Sequence, residues 1–171
     1  YTLCGGRPTA TDCRVEGDYS NAAFFEALGL LGGDVSVGNL SPDSLQGDKA
    51  VVELLKQFGA AVHGSTVEPA ALHGIDIDAS AIPDLVPVLS VVAAAAEGTT
   101  RISNAQRLRL KESDRIETVC RMLRNLGADV EETADGLLIH GGKPLKGGTV
   151  DSCNDHRIAM SMAVSALRSS G

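Results

Sequence analysis

Tryptophan is absent from this 171-residue sequence, and aromatic residues make up only 3% of it. Positive charge is also scarce: 15 lysine and arginine residues face 22 aspartate and glutamate residues, which gives a formal net charge of -7. General nucleic-acid binding needs a basic surface, so this balance argues against that class of protein. Any site for an anion must therefore be a local cluster of positive charge.

Cysteine and long apolar runs are equally limited. The four cysteines, Cys4, Cys13, Cys120 and Cys153, lie far apart without CxxC spacing, which argues against a zinc ribbon or a disulfide framework. The longest apolar run, residues 85–96, is too short to span a bilayer, and no charged-then-apolar leader opens the sequence. We therefore expect a cytoplasmic protein with reduced thiols and no membrane partner.

The common nucleotide, metal and nucleophile motifs are missing as well. The sequence contains no P-loop, dinucleotide-binding fingerprint, metal-ligand cluster or nucleophile elbow. The sequence thus predicts neither a cofactor nor a metal site.

What the sequence does contain is an internal repeat. Three times an acidic residue, Glu16, Asp78 or Asp151, ends a β-like stretch and leads through a short turn into a helix of small apolar residues. Two amphipathic segments share one ending, LLKQFGAAV and MLRNLGADV. Their glycines, Gly59 and Gly127, suit a left-handed helix stop.

The coarse pattern predicts an α/β (α+β) fold of repeated βαβαββ units. Strands are expected at residues 34–40, 60–68, 99–105, 129–141 and 148–153. The helix expected at residues 83–97 carries charge only at its ends, and a helix that is apolar all round belongs inside a structure. We therefore expect helices inside and sheets outside, in one incomplete domain over residues 1–171 with about two and a half units.

The stretch RLRLKESDRIETV, residues 107–119, places positive charge at the start of a predicted helix. If the helix begins near Lys111, Glu112 lies one turn before Ile116 and continues its apolar stripe, as a candidate proton carrier. Cations at a helix amino terminus oppose its dipole, so the four cations of this stretch need a compensating group: Arg107, Arg109, Lys111 and Arg115. The alternative is structural: Glu112 caps the helix, while Lys111 and Arg115 pair with Asp114 or solvent. The buried stripe comprises Ile116, Val119, Cys120, Leu123 and Leu126.

A second helix start repeats this feature. In NDHRIAM, Asn154 suits the N-cap, Asp155 suits the first turn, and His156 and Arg157 again bring positive charge. An anion held between the two helix starts would compensate both, since helix termini and arginine bind phosphate or carboxylate. For His156, a structural imidazole is the alternative.

A third candidate, Asp84, precedes the apolar helix. Beside Pro83 it suits a first turn and complements the helix dipole. It is also placed to take a proton from a substrate hydroxyl. The residues leave both interpretations open.

The strings VEGDYSNAAFF, SLQGDKA, IPDLVPVL, RLRLKESDR and NDHRIAM occur in this order along the sequence. Together they resemble the C-terminal part of the 5-enolpyruvylshikimate-3-phosphate synthases, the 3-phosphoshikimate 1-carboxyvinyltransferases of the shikimate pathway. The resemblance covers essentially the whole chain and implies the inside-out α/β barrel domain of enolpyruvyl transferases. It also implies that a partner N-terminal domain and a final C-terminal segment are absent, and that this fragment alone is inactive.

The resemblance further implies a reaction and a set of roles. The family transfers the enolpyruvyl group of phosphoenolpyruvate to shikimate 3-phosphate, on the route to chorismate and aromatic amino acids, without a cofactor. By resemblance, Arg115, His156 and Arg157 bind phosphoenolpyruvate, while Asp84 and Lys111 face the shikimate hydroxyls, Asp84 as candidate base. Glu112 would protonate the methylene carbon and later take a proton back. Arg107 would lie near the shikimate ring, where some members carry asparagine.

Three other functions stay open at the level of the sequence. One is a related enolpyruvyl transferase acting on UDP-N-acetylglucosamine, against which the KESDR and NDHR strings argue. The others are a non-catalytic anion-binding module and a purely structural repeat domain.

Overall fold

Five α-helices and eight short strands make up the computed structural model, which describes residues 2, 4–7, 9–64 and 66–170. The helices are α1 (Tyr19–Leu30), α2 (Ala50–Gln57), α3 (Val86–Ala95), α4 (Arg115–Asn125) and α5 (His156–Ser165). The strands are β1 (Ala61–His63), β2 (Thr66–Glu68), β3 (Asp76–Asp78), β4 (Thr99–Ser103), β5 (Asp129–Glu132), β6 (Leu137–His140), β7 (Leu145–Lys146) and β8 (Ser169–Ser170).

One complete βαβαββ unit runs from β3 to β6. Its strands form a four-stranded sheet in the order β3-β4-β6-β5, in which β3 and β4 are parallel and the other neighbours antiparallel. Buried residues alternate with exposed ones along β4, so the sheet has one outward face. The other described strands form two pairs, β1 with β2 and β7 with β8.

Helix α3 lies at the centre of the fold, as its uniform apolar character predicts. Every residue from Val86 to Ala94 is buried, and α3 packs against α1, α4, α5 and β6. Truncating a fully buried side chain such as Leu89 to alanine would cost about 2–5 kcal/mol. In the described part of the chain, no helix has both the length and the apolar character needed to cross a bilayer.

The two amphipathic helices of the repeat end in the same way. Gly59 and Gly127 have φ angles of 109° and 80°, as predicted for left-handed helix stops. The amide after each glycine donates to the carbonyl five residues earlier, Ala60 to Leu55 and Ala128 to Leu123, both at 2.9 Å. A side chain at Gly59 would also lie 2.8 Å from the carbonyl oxygen of Ala71.

Three of the strand predictions are wrong in whole or in part. Over residues 34–40, the described structure shows a single bridge from Ser36 to Thr66, and Asn39 adopts a φ of 62° that a strand does not permit. Residues 148–153 form no strand, because Asp151 accepts a hydrogen bond from the amide of Cys153, whose φ is 54°. The single strand expected at residues 60–68 is a pair of strands, β1 and β2. The predictions for β4 and for the β5–β6 hairpin are confirmed.

The predicted start of α4 is wrong by one turn. The helix begins at Arg115 rather than Lys111, and Asp114 is the N-cap, accepting a hydrogen bond from the amide of Glu117 at 3.2 Å. Lys111 is extended, and a 3-10 helix, Gln106–Leu110, precedes it. Glu112 therefore lies outside the helix and does not continue its apolar stripe. The stripe itself is confirmed: its five residues are all buried.

The N-cap of α5 is Asp155 rather than Asn154. The Asp155 carboxylate accepts from the amide of Arg157 at 3.0 Å, whereas Asn154 has a φ of 58°. Aspartate and asparagine cap helices almost equally well, so the local sequence does not distinguish them. What distinguishes them is the long-range ion pair that Asp155 forms with Arg115.

Helix α1 carries an acid inside the core. Glu26 is 5% exposed, and its Oε2 is buried without a hydrogen-bond partner. Burial raises the pKa of Glu26 to about 7, well above the ordinary value for a glutamate, near 4.5. The carboxyl therefore keeps its proton in the folded protein under conditions in which the unfolded chain releases it.

We expect this acid to make the protein less stable as the pH rises from about 4.5 to about 7. In that window the folded state binds more protons than the unfolded state, so the free energy of unfolding falls, by on the order of 3 kcal/mol in total. Glu26→Gln should abolish that fall, which urea unfolding of the two proteins across this pH range would measure. The exposed Glu53→Gln is the control. Parallel stability curves for wild type and Glu26→Gln would contradict the assignment.

Candidate active site

The starts of three helices bring their charged side chains together. Asp84 lies in the 3-10 turn Pro83–Leu85 that leads into α3, Arg115 is the first residue of α4, and Arg157 is the second of α5. These three helices pack against one another. Asp84 therefore reaches both arginines, at 2.8 Å from Arg115 and 3.4 Å from Arg157.

Arg115 is the centre of this charged network, which we define as Asp84, Lys111, Glu112, Arg115, Asp155 and Arg157. Its side chain is 2% exposed and meets three carboxylates. It contacts Asp84 at 2.8 Å, Glu112 at 2.7 Å and Asp155 at 2.7 Å. Burial alone would lower the pKa of Arg115, but the bonds to Asp155 and the other carboxylates outweigh it and raise that pKa. Arg115 is a permanent cation held in a fixed position.

Asp155 holds Arg115 and caps α5 with the same carboxylate. It is fully buried, and its two oxygens accept from Nε and Nη2 of Arg115 at 2.7 and 3.2 Å. It also accepts from the Ser113 hydroxyl at 3.1 Å and from the amide of Arg157. Burial would raise the pKa of Asp155, but the Arg115 guanidinium and these donors hold it below its usual range. The carboxylate is ionised and fixes α5 against α4.

Asp84 faces three cations. Its Oδ1 accepts from Lys111 at 3.2 Å and from Arg115, and its Oδ2 lies near Arg157. Burial would raise the pKa of Asp84, but Arg157, Lys111 and Arg115 together lower it. Asp84 is thus an ionised proton acceptor whose basicity depends on how closely these cations approach it.

Arg157 is tied to the start of α1 as well as to Asp84. Its Nη2 donates to the Ser20 hydroxyl at 3.0 Å, and that hydroxyl donates to the α1 N-cap, Asp18, at 2.8 Å. Weaker contacts reach the carbonyl oxygens of Ser20 and Asp84 at 3.4 and 3.5 Å. A fourth helix start therefore helps to orient this arginine.

The charges of the network balance, which corrects the expectation that the helix starts carry uncompensated positive charge. Three carboxylates already accompany Lys111, Arg115 and Arg157. The structural alternative is also wrong in its partners, because Lys111 and Arg115 pair with Asp84 rather than Asp114. Asp114 instead binds Arg109 at 3.0 Å. The compensation comes from residues distant in sequence, which a local pattern does not reveal.

The network is closed on its inner side and open on its outer side. The side chains of Glu112, Lys111 and Asp84 are 50%, 33% and 29% exposed, against 2% for Arg115. Asp48, which is partly buried, lies near Asp84. Its burial is the main cause that raises the pKa of Asp48, and the negative charge of Asp84 raises that pKa further. A ligand approaching this surface would meet Glu112, Lys111 and Asp84 first.

Two predicted site residues are not part of the network. His156 and Arg107 are both exposed, and neither makes an ion pair or hydrogen bond within the described residues. His156 begins α5, between Asp155 and Arg157 in the sequence. Arg107 lies in the 3-10 helix before α4.

Asp155, Ser113, Ser20 and Asp48 have contacts that the sequence patterns missed. The only signal for Asp155 was an acid two residues before an arginine at a helix start. Nothing local marks Ser20, 137 residues away from Arg157. Within the described residues, no group of three or more His, Cys, Asp or Glu side chains is placed to hold a metal ion.

Comparison with known sequences identifies the relatives of this chain. A family model described as EPSP synthase (3-phosphoshikimate 1-carboxyvinyltransferase) matches residues 2–171. A protein of Clostridium acetobutylicum named 3-phosphoshikimate 1-carboxyvinyltransferase is 52% identical over 160 residues, which are 92% of this chain and 37% of that protein. One of the same name from Methanocella arvoryzae is 50% identical over 165 residues, 92% of this chain and 39% of that protein. The chain thus spans about two fifths of these relatives.

Solved structures agree with this grouping. The EPSP synthase of Acinetobacter baumannii superposes with a TM-score of 0.84 at 34% identity, over 98% of this chain and 43% of that one. The enolpyruvyl transferase NikO of Streptomyces tendae superposes with a TM-score of 0.61 over 91% of this chain and 37% of that one. At 18% identity, NikO shares the fold alone. The predicted fold class is confirmed.

Asp155 both pairs with Arg115 and caps α5, and substitutions at this position should lower the free energy of unfolding. Asp155→Asn keeps a capping oxygen but removes the charge opposite buried Arg115, and we expect it to cost about 3 kcal/mol. Asp155→Ala also removes the cap and should cost about 1 kcal/mol more. Urea unfolding of the complete protein that carries this chain would measure both.

Asp114→Asn is the matched control, because Asp114 caps α4 in the same way but is 33% exposed and pairs with the partly exposed Arg109. It should cost less than about 1 kcal/mol. Equal losses for Asp155→Asn and Asp114→Asn would show that the buried ion pair does not set the stability of this junction.

Proposed function

The chain belongs to the EPSP synthase family, and from this membership we propose that the complete protein transfers the enolpyruvyl group of phosphoenolpyruvate to the 5-hydroxyl of shikimate 3-phosphate, releasing phosphate. This reaction serves the shikimate pathway to chorismate and aromatic amino acids. The observation that carries the proposal is the charged network in which three helix starts present cations and carboxylates to one open surface. A second domain of the same protein would close over that surface.

Phosphoenolpyruvate brings a carboxylate and a phosphate, which the proposal assigns to Arg115, Arg157 and His156. Arg157 is the more adaptable arginine, because its contact with Asp84 is 3.4 Å long whereas Arg115 is held at 2.7–2.8 Å by three carboxylates. An arriving anion can therefore share Arg157 without breaking the central ion pairs. The exposed ring of His156 is available to the same ligand.

Asp84 takes the proton of the attacking hydroxyl in this mechanism, and Lys111 binds the same region of shikimate 3-phosphate. In the structure, the surrounding cations depress the pKa of Asp84, which makes it a weak base. When Arg157 and Lys111 pair with bound anions, they lower the pKa of Asp84 less, and Asp84 becomes a stronger base. Substrate binding thereby prepares the proton acceptor. Arg107 stays a candidate contact to the shikimate ring.

Glu112 carries the second proton. As the hydroxyl oxygen bonds to C2 of phosphoenolpyruvate, Glu112 gives a proton to the C3 methylene and a tetrahedral intermediate forms. The C2–O bond to phosphate then breaks, and Glu112 takes a proton back from C3, which restores the double bond. Its Oε2 is bound to Arg115 at 2.7 Å, and its side chain is half exposed toward the open surface, where the substrates would lie.

The test of the function is phosphate release by the complete protein with two acceptors. Release from phosphoenolpyruvate with shikimate 3-phosphate, and not with UDP-N-acetylglucosamine, is the expected result. Release with the nucleotide sugar alone would assign the protein to the other enolpyruvyl transferase. Release with neither acceptor would leave a non-catalytic anion-binding protein.

The role of Glu112 generates a kinetic prediction for the complete protein. Glu112→Gln should lower kcat by at least about 100-fold because the amide cannot transfer the proton, while the Kd of phosphoenolpyruvate changes by less than about threefold. Glu117→Gln is the control, since Glu117 lies on α4, is 55% exposed and, among the described residues, forms an ion pair with Arg121 alone. A loss of phosphoenolpyruvate affinity with kcat intact would overturn the proton role.

The two-domain site generates a second prediction. Residues 1–171 alone should release no phosphate under conditions in which the complete protein turns over, because the proposed site needs a second surface around the open network. Turnover by the purified 171-residue chain would refute the need for that surface.

A further inference from the structure

A cavity of about 360 Å³ lies beside α1, and none of its lining residues belongs to the charged network. Its lining includes two residues from α1, four from the segment that follows α1, and one from α2: Tyr19, Glu26, Val37, Asn39, Leu40, Pro42 and Val52. Tyr19 and Glu26 are seven residues apart and so lie on one face of the helix. The volume falls in the lower part of the range, about 300–1,000 Å³, that small-molecule sites occupy.

Glu26 is the polar group of this cavity that lacks a partner. Its side chain is more than nine-tenths buried, and its Oε2 has no hydrogen bond in the described structure. The neighbouring hydroxyl of Tyr19 cannot serve, because it already donates to the carbonyl oxygen of Ser41 at 2.9 Å. An unpaired buried carboxyl costs about 1–3 kcal/mol, more when it is charged. A donor from outside the chain would remove this cost.

The residues that line the cavity indicate which kind of hydrogen-bond donor would bind there. Val37, Leu40, Pro42 and Val52 offer aliphatic surface, and Tyr19 adds an aromatic ring. A carboxylate beside an aromatic ring attracts a cation through charge and through the ring face. An anion is disfavoured, because no Lys or Arg lines the cavity to pair with it. The complement of this cavity is an ammonium group on a small apolar body.

We propose that this cavity binds a small organic cation, whose ammonium group pairs with Glu26 and whose apolar part packs against Tyr19, Leu40 and Val52. The site is separate from the charged network and does not depend on the function proposed above. It would make the protein responsive to primary amines.

Calorimetric titration of the complete protein with benzylammonium chloride tests the proposal, with benzyl alcohol as an uncharged ligand of the same shape. Benzylammonium should bind, and benzyl alcohol should bind at least about tenfold more weakly. Glu26→Gln should weaken the ammonium by at least about tenfold while leaving the alcohol unchanged. Glu26→Leu serves as a second variant whose side chain carries no polar group to bury. Glu53→Gln, on the exposed side of α2, should have no effect.

Proton release gives an independent readout. Because Glu26 holds its proton up to about pH 7, binding of an ammonium at pH near 6 should expel about one proton, and binding at pH near 8.5 none. Tyr19 is the other titratable residue of the lining, and burial, followed by the charge of Glu26, raises its pKa. Titrations in buffers of different ionisation enthalpy measure the proton count.

Two results would overturn the proposal. One is the absence of benzylammonium binding at concentrations up to about 10 mM. The other is equal affinity in wild type, Glu26→Gln and Glu26→Leu, which would place any bound amine elsewhere on this acidic protein.

Discussion

The ion pair between Arg115 and Asp155 is the interaction on which the site depends. It joins the first residue of α4 to the N-cap of α5, two positions that are 40 residues apart, with a bond of 2.7 Å in the interior. Asp155 would still cap α5 without Arg115, but Arg115 would be a costly buried cation without Asp155. Because the pair is buried and doubly hydrogen-bonded, it fixes how the two helix starts face each other. The positions of Asp84 and Arg157 follow from that arrangement.

This arrangement also places a cluster of cations on the surface of an acidic protein without leaving them unpaired. The cations of the network are compensated from within the fold, so the surface is not left with an unpaired charge when no ligand is present. The closest contacts of Arg115 with its three carboxylates are 2.7–2.8 Å, and the contacts of Asp84 with Lys111 and Arg157 are longer, at 3.2 and 3.4 Å. An anion at this surface would therefore disturb the longer contacts of Asp84 before those of Arg115.

The sequence was sufficient for features that are set locally. Periodicity predicted the buried stripe of α4 and the interior position of α3, and glycine at the two helix ends predicted the left-handed stops. Local patterns failed where a residue distant in sequence determines the structure. The pairing with Arg115, for example, makes Asp155 rather than Asn154 the N-cap of α5. The strand prediction failed at residues 148–153, where the side chain of Asp151 accepts a hydrogen bond from the amide of Cys153 and forms a turn. The candidate site was found through its helix starts, but the carboxylates that compensate its cations were not identified as such.

The side chains of the network range from buried to half exposed, and this difference in exposure determines how each ion pair responds to ionic strength. Exposed charges lose most of their attraction in salt, whereas pairs shielded from solvent keep theirs. At high salt the contact between Lys111 and Asp84, each about 30% exposed, would loosen first, while Arg115 would stay clamped to Asp155. In a concentrated salt solution the network would keep its buried ion pair and lose much of the attraction between its exposed charges. Salt would then change the outer charges of the network and leave the packing of α4 against α5 intact.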